Sequence, residues 1–175
     1  MIYGWKKRQE HIEKYGWFIL SNSQIETLQT IFEGKKVVEV FAGKGYLASK
    51  MKPLMGKNYK AYDNAKRTGN WDSGTFPLSV TTKNALMAPI KKADVVVMTW
   101  PEYGSPLAYK VARKMSPGSV LFYEGEDEGG CTGDDKFFEY LDTHFTTLAE
   151  YTDLLNADHE SWDGVHDDWH VLIKL

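Results

Sequence analysis

Residues 37–51 read VVEVFAGKGYLASKM. A short apolar run carries one acid, Glu39, breaks at Gly43 and Gly45, and resumes with Leu47 and Met51 at helical spacing. The pattern is strand, tight turn, helix. Glycines at the turn let the backbone reverse and approach a ligand with no β-carbon in the way. The helix that follows offers free N–H groups and a positive dipole end, suited to a phosphate or a carboxylate. Gly43-Lys44-Gly45-Tyr46-Leu47-Ala48 fits the dinucleotide pattern G-x-G-x-x-G/A, and Asp63 follows at about the twenty-residue spacing of a ribose-binding acid. The Gly-Lys-Ser/Thr of a phosphate-binding Walker loop is absent.

Working outward, strand and helix patterns alternate. Ser23 with Glu26 forms a capping-box pattern that predicts a helix from Ser23 to about Gly34, with Ile25, Leu28, Ile31 and Phe32 on its apolar face. The helix after the glycines is expected over 45–55 with Leu47, Met51 and Leu54 inward. YKAYDN (59–64) is a second strand ending on an acid, and residues 64–77 hold turn chemistry without helical period. LSVTTKNAL (78–86) is expected as a third strand ending near Asn84, and ADVVVMTW (93–100) as a fourth. LAYKVARKM (107–115) and KFFEYLDTHF (136–145) have helical spacing, and SVLFYEGE (119–126) is a strand between them. TTLAEYTDLL (146–155) and DWHVLIKL (168–175) are expected as two closing strands that form a hairpin. The expected fold is therefore three-layer α/β and Rossmann-like, a mostly parallel sheet with an antiparallel C-terminal strand. The chain is expected to be one domain, residues 1–175, with an N-terminal helical segment (1–34) ahead of the sheet and its flanking helices (35–175). Ligands of such sheets bind beyond the carboxyl ends of the strands, at the switch point.

Composition narrows the classes. A chain of 175 residues with 42% hydrophobic residues can bury a sizeable core, and no apolar run approaches the roughly 18 residues of a membrane span. MIYGWKKRQEHIEKYGW at the start has no apolar stretch of a secretory leader. A single cysteine, Cys131, excludes an internal disulfide framework and a Cys-rich zinc site, and is expected to be a small buried residue. A reducing, cytoplasmic location and no membrane partner are expected. Charge is segregated: fifteen acids and one base lie between Glu124 and Asp168, seven bases and one acid between Lys44 and Arg67. A pI near 6.0 argues against general nucleic-acid binding while leaving a local basic face open.

Glu39 bears on the choice of ligand. An acid inside an apolar strand is costly to bury alone, and it would repel a pyrophosphate. It suits a ligand carrying an ammonium and a sulfonium, or it caps the loop's own N–H groups. Here the sequence resembles the class I S-adenosylmethionine-dependent methyltransferases. Their acid-x-Gly-x-Gly-x-Gly motif falls on Glu39, Phe41, Gly43 and Gly45, with Phe41 where the first glycine is usual. The Phe-x-Gly-x-Gly form is similar to that of methyltransferases acting on nucleic-acid bases. The resemblance implies S-adenosyl-L-methionine as cofactor, with Glu39, Phe41, Ala42, Gly43, Gly45, Asp63, Asn64 and Trp100 around it, Asp63 on the ribose, and Asn84-Ala85 near the adenine. The whole chain also resembles a group of small methyltransferase-like proteins, through YGWFILS, WPEYGSPLAY, GGCTGDD and a late Gly-x-His-Asp. That group implies fold and cofactor more firmly than substrate.

Trp100-Pro101-Glu102-Tyr103 stands where amino-methylating families carry Asn/Asp/Ser-Pro-Pro-aromatic. Pro101, Glu102 and Tyr103 are therefore the candidate catalytic residues: Pro101 stiffens the loop, Glu102 serves as a base or holds a cationic group, and Tyr103 stacks on a planar acceptor. The usual partner of an amino group is missing, which weighs against a DNA base. Trp71 is a candidate adenine or substrate contact. In WDGVHDDWH (162–170), strand alternation would set His166, Asp168 and His170 on one side, with His166 a candidate substrate contact. Two histidines with no placed third ligand make no metal centre, and none is expected. Glu124, Glu126, Asp127 and Glu128 crowd one strand end, with Thr132 or Asp134 available to cap the next helix. Trp17 and Phe18 are expected to pack in the core or in a lid over the cofactor. The expected activity is methyl transfer to an unassigned acceptor, an amino nitrogen on a planar molecule being one candidate. The alternatives are a non-catalytic adenosylmethionine-binding or protein-interaction module on the same fold, and a nicotinamide-dependent oxidoreductase, which Glu39 disfavours.

Overall fold

The computed structural model describes residues 5–66 and 79–175. Along the chain run α1 (Trp5–Tyr15), α2 (Asn22–Phe32), β1 (Val37–Val40), α3 (Tyr46–Met55), β2 (Tyr59–Asp63), β3 (Val80–Thr82), β4 (Val95–Thr99), α4 (Leu107–Lys114), β5 (Val120–Glu126), α5 (Asp135–His144), β6 (Phe145–Thr147), α6 (Ala149–Asn156) and β7 (Asp167–Lys174). The strands form one seven-stranded sheet in the order β3-β2-β1-β4-β5-β7-β6. The first five in that order are parallel, and β7 runs antiparallel to both β5 and β6. Strand order reverses between β1 and β4, so the crevice of an α/β sheet opens beyond their carboxyl ends.

The alternation of apolar side chains gives each face its own core. Val38, Val40, Val96, Met98, Leu121 and Tyr123 pack one face against α4 and α5. Val37, Val95, Val97, Phe122, Trp169 and Val171 pack the other with Leu28, Phe32, Leu47, Met51 and Leu155 from α2, α3 and α6. The run VVVMT is buried at every position, and apolar from Val95 to Met98, because both faces of a central parallel strand are covered.

Three expectations change in detail. The capping box at α2 lies two residues earlier than its sequence pattern: Ser21 accepts from the Gln24 N–H, and Gln24 accepts from the Ser21 N–H. A glutamine at the third helical position does the work the sequence reading gives to Glu26. Leu54, expected inward, is 47% exposed in the last turn of α3. TTLAEYTDLL is extended only to Thr147, then winds into α6. Its Ala, Glu and Leu favour helix, and Leu148, Tyr151 and Leu155 recur at helical spacing against the core. The antiparallel edge survives, with a helix and a loop between its two strands. Among the described residues no helix is long and apolar enough to cross a membrane.

Candidate functional site

The chain leaves β1 at Val40 and turns through two positive-φ residues, Phe41 at 58° and Gly43 at 56°, before Gly45 at 77° starts α3. The left-handed conformation explains why glycine is usual at the first of these places. A side chain there costs about 1–2 kcal/mol, and Phe41 offsets part of it by packing against the core. The turn is held from β2: Asp63 accepts the Gly43 N–H at 2.8 Å on one carboxylate oxygen and the Ala65 N–H at 2.9 Å on the other. Asp63, not Glu39, therefore satisfies the loop. Asp63 also borders the cavity that opens here.

That cavity has a volume of about 380 Å³, in the range of small-molecule sites. Phe41, Ala42, Gly43, Asp63, Asn64, Thr99 and Trp100 form its floor, and Tyr15, Trp17 and Phe18 close it from the N-terminal side. The N-terminal segment is tied down at several points. Lys44 of the glycine turn donates from Nζ to the Glu13 carbonyl of α1. The Trp162 indole donates to the Trp17 carbonyl at 2.9 Å, and the Trp17 ring stacks on Trp100 at 5.3 Å and 19°. Trp17 and Phe18 both line the cavity, and Phe18 is at the same time a buried member of the core.

Glu39 lies behind the floor rather than in it. It is fully buried; Oε2 accepts from Tyr59 Oη at 2.8 Å, and Oε1 has no hydrogen-bond partner among the described residues. Burial pushes its pKa up to about 8, the nearby Asp63 charge adds to the rise, and the Tyr59 hydroxyl opposes it. At neutral pH the acid is mostly protonated. Of the two sequence readings of Glu39, the cap of the loop's N–H groups is not its contact among the described residues, where Asp63 takes that place. The side chain reaches inward from a strand whose register pairs it with Ala61 and Val97, while the turn N–H groups lie further along the chain.

A second cavity of about 450 Å³ adjoins the first across the Trp17–Trp100 pair, and the two share Trp17, Trp100 and Glu102. Pro101, Tyr103, Glu126, Cys131, Val165 and Arg8 also line it. Trp100 takes a positive φ of 47° at the end of β4, which throws the chain outward. Glu102 and Tyr103 are exposed, Tyr103 to 71%, and Pro101 is buried. The PEYG segment pairs with the GGCTG loop through the Glu102–Thr132 bridge, with Gly104 N–H donating to the Gly133 carbonyl at 2.7 Å. Glu126 fastens the remaining walls: Oε2 accepts from Cys131 N–H at 2.7 Å and Oε1 from His166 N–H at 3.0 Å. Burial would raise its pKa, but these two donors hold it below the usual carboxylate value. Asp134 caps α5 by accepting from Phe137 N–H at 3.0 Å.

The other expected residues fall as follows. Asn84 is exposed and caps a short 3₁₀ turn by accepting from Leu86 N–H, Ala85 is buried beside it, and neither borders the cavities. Trp71 lies outside the described residues. His166 meets the site through its backbone. His166, Asp168 and His170 do not converge: β7 begins only at Asp167, so His166 is not in the alternation, Asp168 is exposed, and His170 turns to Tyr123 and Asp127. Cys131 is exposed on the second cavity rather than buried. Lys44 as the anchor of α1 and Glu126 as the clamp of two loops carry no sequence signal, since each acts on backbone groups far along the chain.

No protein-family model and no curated protein matches this sequence. Solved structures match its fold. Thermoplasma acidophilum 1320 superposes with a TM-score of 0.56 at 11% identity, over 97% of this chain and 96% of that one. The B. subtilis M1A22 tRNA methyltransferase TrmK gives 0.51 at 12% identity, over 90% and 68%. TrmN from Thermus thermophilus gives 0.50 at 16% identity, over 86% of this chain and about half (48%) of that one. The chain has the fold of the class I S-adenosylmethionine-dependent methyltransferases.

Proposed function

We propose that this protein is an S-adenosylmethionine-dependent methyltransferase that binds its cofactor in the cavity over the glycine turn and its acceptor in the cavity beyond Trp100. The observation that carries this reading is Asp63: one carboxylate both fixes the Gly43 turn and borders a 380 Å³ cavity at the switch point of the sheet. Such a carboxylate suits a ribose diol, while Trp17, Phe18 and Trp100 offer flat apolar walls to a base or a methionyl chain.

The cofactor supplies an electrophilic methyl group on a sulfonium. The chain's own task is then to place an acceptor and to keep water out, because in-line displacement depends mostly on position. Trp17 and Trp100 wall both cavities, and Glu102 stands where the two meet. From there Glu102 can accept a proton from an acceptor N–H or O–H, or hold a cationic one. Tyr103 presents an exposed ring for stacking on a planar molecule. An amino nitrogen on a planar acceptor fits this lining. A nucleic-acid acceptor has less support, given the acidic residues around the second cavity.

Calorimetric titration with adenosylmethionine, its demethylated product and NAD tests the cofactor. Adenosylmethionine binding at about one per chain supports the reading, and binding of NAD alone overturns it. Mass spectrometry of small molecules and RNA from an extract incubated with labelled donor then separates an enzyme from a non-catalytic binding module, the second reading of this fold. Loss of label transfer in Glu102→Ala, with donor affinity intact, places that residue at the acceptor.

A further inference from the structure

Behind Trp100, on the sheet face away from α4 and α5, lies a polar cluster that neither cavity reaches. Glu124 of β5, His159 of the loop after α6 and Asp167 at the start of β7 bring one ligand atom each within 4.8 Å of one another. The side chains are 0%, 3% and 1% exposed. Both carboxylate oxygens of Glu124, both of Asp167, and Nε2 of His159 have no hydrogen-bond partner among the described residues. Buried polar atoms are rarely left so, and five together call for a common partner.

Spacing and charge indicate what that partner is. His159 Nε2 stands 4.0 Å from Glu124 Oε1 and 3.7 Å from Asp167 Oδ2. Both separations are too wide for a hydrogen bond. They are only a few tenths of an ångström wider than two ligands spanning a first-row cation at about 2.0–2.2 Å each. No lysine or arginine among the described residues forms a salt bridge with either carboxylate. Two buried carboxylates and an imidazole carry up to two negative charges, which a dication cancels.

We propose that Glu124, His159 and Asp167 bind one divalent first-row transition ion, zinc or manganese, as a structural site beneath Trp100. Two carboxylates with one imidazole are a donor set that both ions accept. The ion joins β5, β7 and residues 157–166, and through them the Gly164–Val165 wall of the second cavity. Its role is to hold that wall in place, since the ligands are closed off from both cavities.

Binding also sets the tautomer. His159 Nδ1 lies 3.1 Å from Gln24 Nε2, whose other contact is the Leu155 carbonyl at 2.9 Å. Without an ion, the Gln24 amide donates to Nδ1 and the ring proton sits on Nε2. With the ion on Nε2 the proton moves to Nδ1, and Gln24 must turn its oxygen toward it. That turn breaks the reciprocal bond between Gln24 and Ser21 N–H at the start of α2, and the Nε2 donation to the Leu155 carbonyl with it. Ion binding thus loosens one cap while it ties three elements together.

The test uses the full, untagged chain, stripped with a chelator and then dialysed against zinc, manganese or magnesium. Elemental analysis is expected to find about one zinc or manganese per chain and no magnesium. Melting temperature is expected to rise by about 5 °C or more with the retained ion. Glu124→Gln, Asp167→Asn and His159→Ala should each abolish retention, while Cys131→Ser leaves it unchanged and excludes the exposed thiol as the ligand. The proposal is overturned if the wild-type chain retains neither ion and its melting temperature does not respond. It is equally overturned if the stripped chain is as stable as the loaded one and Glu124→Gln stabilises it, since the two acids then share a proton instead. Neither result touches adenosylmethionine binding, which is measured separately.

Discussion

The two halves of the sheet's carboxyl edge are built by opposite means. At β1 and β2 the site is local: a turn of consecutive residues, 41–45, is held by one acid at the end of the next strand. At β4, β5 and β7 it is assembled from distant segments, PEYG, GGCTG and residues 157–167, joined by Glu126 and by backbone pairing. The local half tolerates little change in backbone conformation. The assembled half depends on a few side chains that bridge long stretches of chain, and it is the half where acceptor chemistry would be decided.

The largest effect that would break this contrast is expected at Asp63. Asp63→Ala removes the acceptor of two turn N–H groups and the proposed partner of the ribose. Hydrogen bonds to charged groups contribute about 1.5–3 kcal/mol each, so adenosylmethionine affinity should fall by about 100-fold or more in calorimetry. A loss below tenfold would show that the turn holds itself. Next comes Gly130→Ala in the assembled half. A β-carbon there would sit 2.5 Å from Glu126 Cβ and 3.0 Å from the Asp127 carbonyl. The loop must shift, and thermal unfolding should show a loss of about 1–3 kcal/mol with cofactor affinity unchanged.

Glu126→Gln is expected to cost less, about 1–2 kcal/mol, because one oxygen can still accept while the charge is lost. The sharper readout is hydrogen exchange. Faster exchange at the Cys131 and His166 amides, with the Gly43 amide unaffected, would confirm that Glu126 serves only the assembled half.

Legibility in the sequence follows the same division. VVEVFAGKGY and Asp63 disclose strand and turn because every signal is a residue type at a fixed offset. The strand-rich core is equally plain in ADVVVMTW. By contrast, His159 gives no sign of facing Glu124, since they are 35 residues apart and meet only through the antiparallel return of β7. His166 and His170 lie close along the chain, but β7 begins at Asp167, one residue too late to align them. The α6 helix was hidden for another reason: TTLAEYTDLL carries enough threonine and tyrosine to pass for a strand, and tertiary packing of Leu148, Tyr151 and Leu155 decides it. Glu39 shows the limit of a motif, because the sequence places an acid at the strand end without saying that its side chain turns inward to Tyr59.

A pH series refines the role of Glu39. Its folded pKa of about 8 lies above the unfolded value of about 4.3. The folded chain therefore holds a proton that the unfolded chain gives up, and this contribution to stability is present at acid pH and lost as pH rises from about 4.3 through about 8. Glu39→Gln should flatten that part of the stability profile in chemical denaturation. If a cationic ligand group lies near the carboxyl, binding ionises it, so at pH 7 binding should release a proton that Glu39→Gln does not. The smallest effect is expected at Phe41→Gly, where relief of a positive φ offsets lost packing and added chain entropy to within about 1 kcal/mol.

The central claim is that the cavity over the glycine turn holds adenosylmethionine. Titrating the full chain with that ligand by calorimetry, against Asp63→Ala in parallel, tests it most directly. The account predicts saturable binding at about one per chain, weakened by about 100-fold in the variant. Absence of binding to the wild-type chain, or equal affinity in both, would contradict it.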